Sequence, residues 1–144
     1  MNRSLKDLLA RAVARGHRGV LRASGGRVGA RLDGMTVLQL TTVGRRTGQR
    51  RTTMLTTPLV RGDDVVVVAS YGGDDRHPQW YLNLVAEPEA TLEIGGEARP
   101  VRARLAAGDE REALWRELVA AHPRYSGYQD RTERAIPVVV LEGR

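Results

Sequence analysis

The run Val65-Val66-Val67-Val68-Ala69 constrains this chain most. It is too short for a typical helix, strongly β-branched, and has no polar position from which a wet face could be built. It is expected to be a central strand buried on both faces, so the chain has to supply apolar partners on two sides of one sheet.

The rest of the sequence supplies candidates. Thr36 to Thr42 is a strand by composition, and Thr52 to Val60 is a second β-prone run in which Pro58 marks an edge or a strand end. Thr91 to Ile94 and Val101 to Leu105 alternate polar and apolar residues around Gly95-Gly96, which reads as a hairpin with one wet face. Ile136 to Leu141 is a closing strand.

Helical signals are fewer. Ser4 and Asp7 open an apolar spacing through Leu5, Leu8, Leu9, Ala12 and Val13, an amphipathic helix over residues 1–16. Pro78 to Ala86 is a short helix stopped by Pro88. Asp109 with Glu112 caps a third, whose apolar face is Leu114, Trp115, Leu118 and Val119, with Trp115 as a core residue.

Roughly six short strands with few helices long enough for parallel crossovers predict a mainly β fold with peripheral helices (α+β), a small antiparallel barrel. The 144 residues suit one domain spanning 1–144. With no apolar run of membrane-spanning length and no apolar secretory core, a cytoplasmic location is expected.

Composition removes several chemistries. The absence of cysteine excludes disulfides, thiolate nucleophiles and thiolate-bound metals. Lys6 is the only lysine, which excludes a Walker A loop and leaves a Schiff-base lysine without support. No Gly-x-Ser-x-Gly elbow occurs, and His17, His77 and His122 share no ligand or triad spacing, so they are read as ordinary surface or cap residues and no metal is assigned.

Charge is distributed unevenly. Residues 1–51 hold 12 basic and 2 acidic residues, a net of +10, whereas residues 52–144 carry a net of −4. This points to an anionic partner for the first third. Its aromatics do not favour nucleic acid, because Tyr71, Trp80, Tyr81, Trp115, Tyr125 and Tyr128 all lie outside the basic third. The basic side of the 1–16 stripe suits either core packing or a peripheral contact with an anionic membrane.

Within the basic third, Gly44-Arg45-Arg46-Thr47-Gly48-Gln49-Arg50-Arg51 reads as the tip of a hairpin whose forked guanidiniums can grip phosphates or carboxylates. Ser70-Tyr71-Gly72-Gly73 follows the apolar run, and Trp80, Tyr81 and Asn83 come soon after. Aromatic faces, small residues and hydrogen-bonding groups near one strand end suit a flat heteroaromatic ligand.

Four blocks in this order carry a resemblance: Leu-Gln-Leu-Thr-Thr-Val-Gly-Arg-Arg-Thr-Gly (38–48), Val-Ala-Ser-Tyr-Gly-Gly (68–73), Pro-Gln-Trp-Tyr-Leu-Asn-Leu (78–84) and Arg-Thr-Glu-Arg-Ala-Ile-Pro-Val-Val-Val (131–140). From about Arg22 to Leu141 the chain resembles the deazaflavin-dependent nitroreductase family of split β-barrel oxidoreductases, typical of actinobacteria. The resemblance implies a split barrel that binds coenzyme F420, a deazaflavin with a phosphodiester and a polyglutamate tail, and passes a hydride from its reduced form to a quinone, nitroaromatic or similar electron-poor acceptor.

By motif position, the resemblance implies that Arg45, Arg46, Thr47 and Arg51 hold the phosphate and tail. Thr52, Thr53, Met54, Leu55 and Thr56 would run beside the ring system, with Val68, Ala69, Ser70, Tyr71, Gln79, Trp80, Tyr81, Leu82 and Asn83 completing the pocket. Tyr125 and Tyr128 match the family's aromatic substrate wall, and Ser70 and Tyr128 are the candidate catalytic residues, although a cofactor that carries its own hydride demands no essential side chain. Tyr71 stands where some members carry lysine, and Met54 where proline is common. Two rival readings remain at this point: an FMN enzyme on the same barrel, and a cofactor or amphiphile carrier without turnover.

Overall fold

The computed structural model describes residues 31, 32 and 34–143. The expected helix over 1–16 lies outside them.

Eight strands are found among the described residues: β1 (Arg31–Leu32), β2 (Met35–Val43), β3 (Arg50–Thr57), β4 (Leu59–Arg61), β5 (Asp64–Val68), β6 (Glu89–Ile94), β7 (Glu97–Leu105) and β8 (Val138–Gly143). Every pairing is antiparallel. The sheet runs β1-β2-β6-β7-β8-β5-β4, and β3 pairs with the other edge of β2. Two of the strands are additions to the expected set: β1 is only two residues long, and β4 is the piece left when Pro58, which has no N–H to donate, breaks the threonine-rich run.

That break curls the sheet. β3 lies at one end of the strand order and β4 at the other, yet only Pro58 separates them in the chain, so the two ends are brought face to face. Buried Thr57 holds the join, its hydroxyl 2.5 Å from the Val66 carbonyl and 2.8 Å from that of Leu59. The result is an antiparallel split barrel, as expected.

The alternation of side chains along β5 explains the apolar run. Val65, Val67 and Ala69 point into the barrel with Leu38, Leu40, Leu92, Val101, Val139 and Leu141. Val66 and Val68 point outward with Val138 and Val140, and pack beneath two helices. Each buried valine contributes roughly 1.5–3 kcal/mol relative to an exposed one, which fixes the register because a one-residue slip would exchange the two sets.

Three α-helices complete the described fold: α1 (Gln79–Ala86), α2 (Gly108–Ala121) and α3 (Arg124–Asp130). α1 begins just after Pro78 and puts Trp80 and Leu84, one turn apart, into the barrel core. α2 and α3 cover the outer apolar layer through Leu114, Leu118 and Tyr125.

Two expectations for α2 are corrected. Its N-cap is Ala107 with no side-chain cap, so Asp109 sits inside the first turn, where its charge faces the helix dipole instead of capping. Trp115 is only half-buried at the rim of the outer layer, with the Arg111 guanidinium 5.1 Å over its ring. α3 was not expected at all: Ser126 and Gly127 give a weak helical signal, and the helix exists because Tyr125 packs against the sheet.

Candidate functional site

The β2–β3 turn is closed by its own backbone. Gly44 N–H donates to Gln49 O at 2.7 Å, Gly48 N–H donates to Gly44 O at 2.8 Å, and the Thr47 hydroxyl accepts from Gln49 N–H at 3.2 Å. Gly48 takes φ +73°, open to glycine at no steric cost.

From this turn Arg45 reaches α1. Its backbone N–H and Nη1 both donate to Asn83 Oδ1, at 3.2 and 2.9 Å, and Nη2 donates to Gln79 Oε1 at 2.9 Å. Buried Asn83 in turn donates from Nδ2 to Thr42 Oγ1 at 3.2 Å. Arg45 therefore serves first as a clasp between turn and helix. Arg46 and Arg51 are exposed and make no ion pair among the described residues, so their forks face solvent ready for an anion. Arg50 leans to Thr91, 3.3 Å from its hydroxyl.

Alternation sorts the residues of β3. Thr53 and Leu55 sit opposite Leu40 and Leu38 and face the barrel interior, while Thr52, Met54 and Thr56 sit opposite Thr41, Gln39 and Val37 on the outer face. The Thr41 and Thr52 hydroxyls are 2.9 Å apart on that face. Further along it, Thr56 lies beside the Tyr125 phenol. The outer face of β3 is thus a hydroxyl-bearing strip leading from the basic turn toward α3.

The second turn, Ser70 to Asp74, follows β5 and is held from far away in sequence. Arg134 donates from Nε to Asp74 O at 2.9 Å, from Nη1 to Ala69 O at 3.2 Å and from Nη2 to Ser70 O at 2.9 Å. Arg131 reaches Gly72 O, and Thr132 donates to Asp75 Oδ1 at 2.9 Å. Tyr71 takes φ +46°, a left-handed conformation that costs a non-glycine residue about 1–2 kcal/mol. Gly73 is required: with φ +82°, a Cβ there would lie 2.7 Å from the Tyr128 carbonyl oxygen and 2.9 Å from Arg131 Cβ.

The structure also separates residues that the sequence groups together. Leu55, Ala69 and Trp80 turn into the barrel interior and pack in its core. Tyr125 is 5% exposed, with its phenol oxygen 3.4 Å from Met35 Sδ. Burial pushes its pKa up, so it remains a neutral phenol. Tyr128 is half-buried on α3, meets Tyr125 edge to face at 5.9 Å, and its backbone lies against Gly73, so it borders the second turn. Val68 is partly buried beneath the same layer. Tyr81 and Leu82 are half-buried on α1, Tyr81 lying 4.8 Å from the His77 ring.

Arg131, Thr132, Arg134 and His77 are the residues that sequence reasoning missed. His77 is no ordinary surface residue, since its Nδ1 lies 3.2 Å from Arg134 Nη1. The available signal was the Arg-Thr-Glu-Arg block itself, whose two arginines lie outside the basic third.

The described residues contain no group of His, Asp or Glu able to hold a metal ion, and no helix long and apolar enough to cross a membrane. What they do offer is exposed guanidinium forks beside a polar strip and a locked turn, the donor set for an extended anion joined to a flat ring.

The sequence profile of the F420H(2)-dependent quinone reductase family matches residues 13–143. An F420H(2)-dependent quinone reductase of Mycobacterium tuberculosis is 40% identical over 132 residues, covering 89% of this chain and 88% of that protein. A solved F420-H2 dependent reductase superposes with a TM-score of 0.66 at 38% identity, over 74% of this chain and 93% of its own. A second structure, described as a domain-swapped dimer, gives a TM-score of 0.69 at 35% identity, over 89% of this chain and 96% of its own.

Proposed function

The chain belongs to the F420H(2)-dependent quinone reductase family, oxidoreductases that pass a hydride from reduced coenzyme F420 to a quinone, and on that premise we propose that F420 lies along the outer face of β3 between the two turns. The cofactor is F420, so the FMN reading of the same barrel is set aside, as is carriage without turnover. The observation that carries the placement is the pair of exposed guanidiniums, Arg46 on the basic turn and Arg51 at the start of β3.

In this reading Arg46 and Arg51 hold the phosphodiester and the glutamate tail through charge-assisted contacts. Arg45 and Thr47 act mainly by shaping the turn, Arg45 through Gln79 and Asn83. Thr52, Met54 and Thr56 line the ring, with Val68, Ser70 and Tyr71 at its far end and Tyr81 and Leu82 at the margin of α1. When bound, reduced F420 supplies the hydride from its own ring carbon. The protein's task is to fix that carbon against the quinone and to keep water out.

Tyr128 is the remaining candidate for contact with the acceptor, where its phenol would donate to a quinone or nitro oxygen as charge develops there. Ser70 contributes through its position in the locked turn. The N-terminal stripe over 1–16 gives the enzyme a peripheral hold on an anionic membrane, supported by Lys6, Arg11 and Arg15 beside the apolar spacing.

The test is a titration against oxidised F420 and, separately, FMN, followed by F420H2 oxidation with menadione. Saturable binding of F420 and multiple turnovers are expected; preference for FMN overturns the placement. Deleting residues 1–15 should abolish sedimentation with anionic vesicles while leaving turnover in solution, and vesicle binding that survives the deletion rules out the membrane contact.

A further inference from the structure

We propose that Arg134 is a positioning residue of the hydride-transfer site, fixing the turn that carries Ser70 and Tyr71, and that its lock requires a neutral His77. The inference rests on the reading that this turn borders the bound F420 ring.

The geometry is that of a clamp. A guanidinium offers five N–H groups in one rigid plane and no acceptor. Arg134 directs them to three backbone carbonyls of one short segment, Ala69, Ser70 and Asp74, and to the ring of His77. A lysine ammonium has three donors on a flexible stem and cannot span these four acceptors. The segment so held contains Tyr71 at φ +46° and the tight 3₁₀ turn in which Gly73 N–H donates to Ser70 O. Such a turn persists only where its surroundings dictate it.

The same contact fixes the proton on His77. Because a guanidinium can only donate, Nδ1 must accept, which leaves the ring as the neutral tautomer with its proton on Nε2. Protonation would set an N–H against an N–H 3.2 Å away and place two cations together. The charged and titratable groups around the pair are Asp74 on the turn, Asp75 and Arg76 just after it, and Tyr81 on α1. Burial first, and the charge of Arg134 second, hold His77 below the ordinary imidazole value of 6.5, in keeping with this arrangement. A lowered folded-state value means that the unfolded chain binds more protons. The lock is therefore complete above the ordinary imidazole range and weakens as pH falls below it.

The experiment compares the wild type with Arg134→Lys, Arg134→Gln and His77→Asn. F420 affinity is followed by fluorescence, kcat and KM by menadione reduction between pH about 5 and 8, and the His77 tautomer by heteronuclear NMR of the ring nitrogens, assigned by its loss in His77→Asn. In the wild type, His77 should show an unprotonated Nδ1 at pH about 8, and kcat should fall on the acid side of the imidazole range. Arg134→Lys should lower kcat by at least about tenfold, with less than about threefold change in F420 Kd, because the anion contacts lie on the other turn. It should also release His77 to a mixture of tautomers.

His77→Asn, whose amide oxygen accepts at every pH, should flatten the acid limb relative to its own plateau. A proton on Nδ1 in the wild type, an acid limb unchanged in His77→Asn, or wild-type kcat in Arg134→Lys overturns the proposal. If an Arg134 variant fails to fold, the His77→Asn profile and the wild-type tautomer still decide it. Failure of the wild type to bind F420 strikes the proposed function, whereas a wrong tautomer in an F420-binding wild type strikes this inference alone.

Discussion

The two turns of the proposed site are built on opposite plans. The basic turn, Gly44 to Gln49, closes on itself through hydrogen bonds within six residues and touches the body of the protein mainly through Arg45. The turn from Ser70 to Asp74 has its carbonyls bound by side chains some sixty residues away, Arg131 and Arg134. A self-closed turn leaves its other side chains free to meet a ligand, while a turn clamped from outside presents fixed backbone. Grip and alignment are thereby assigned to different parts of the chain.

This division can be tested in order of expected effect. Arg46→Ala combined with Arg51→Ala should weaken F420 binding by roughly 3–6 kcal/mol if each loses a charge-assisted contact of about 1.5–3 kcal/mol. Calorimetric titration at low salt would measure it, and an affinity that neither falls in the double variant nor weakens with added salt breaks the assignment of grip to the first turn.

Next come two glycines at positive φ, Gly48 on the first turn and Gly73 on the second. Gly73→Ala meets the Tyr128 carbonyl at 2.7 Å as well as backbone strain, and is expected to destabilise the fold by about 3 kcal/mol in urea unfolding. Asn83→Ala removes the acceptor for both the Arg45 backbone and its guanidinium, with an expected loss of about 2 kcal/mol by the same measurement. Gly48→Ala has the same kind of φ as Gly73 but nothing within 4 Å of the new Cβ, so about 1 kcal/mol is expected. Equal losses at Gly48 and Gly73 would erase the contrast between an open turn and a clamped one.

The difference in plan also explains what could be read from the residues. The first turn was legible because its glycines, arginines and flanking threonines are contiguous, and the hairpin it predicts is the one found between β2 and β3. The barrel was legible because alternation and short β-branched runs are local patterns, and Val65 to Ala69 divides between two cores as that run requires. The clamp was not legible, since nothing near Arg134 announces that it will meet Ala69, Ser70 and His77. Orientation was lost for a related reason: Trp80 and Tyr125 have the composition of ligand-facing residues, and only the packing of α1 and α3 shows that they face inward.

β8 adds a consequence of a different kind. Its residues alternate between both apolar layers, Val139 and Leu141 inside the barrel and Val138 and Val140 outside, and it lies between β7 and β5 in the sheet. During synthesis, the β2-β6-β7 portion and the β5-β4 pair therefore emerge with no strand to join them. Neither core can close until this late segment has left the ribosome, so the barrel must assemble after almost all of it has been made, and the unjoined edges of β5 and β7 are what a nascent chain has to keep from pairing wrongly.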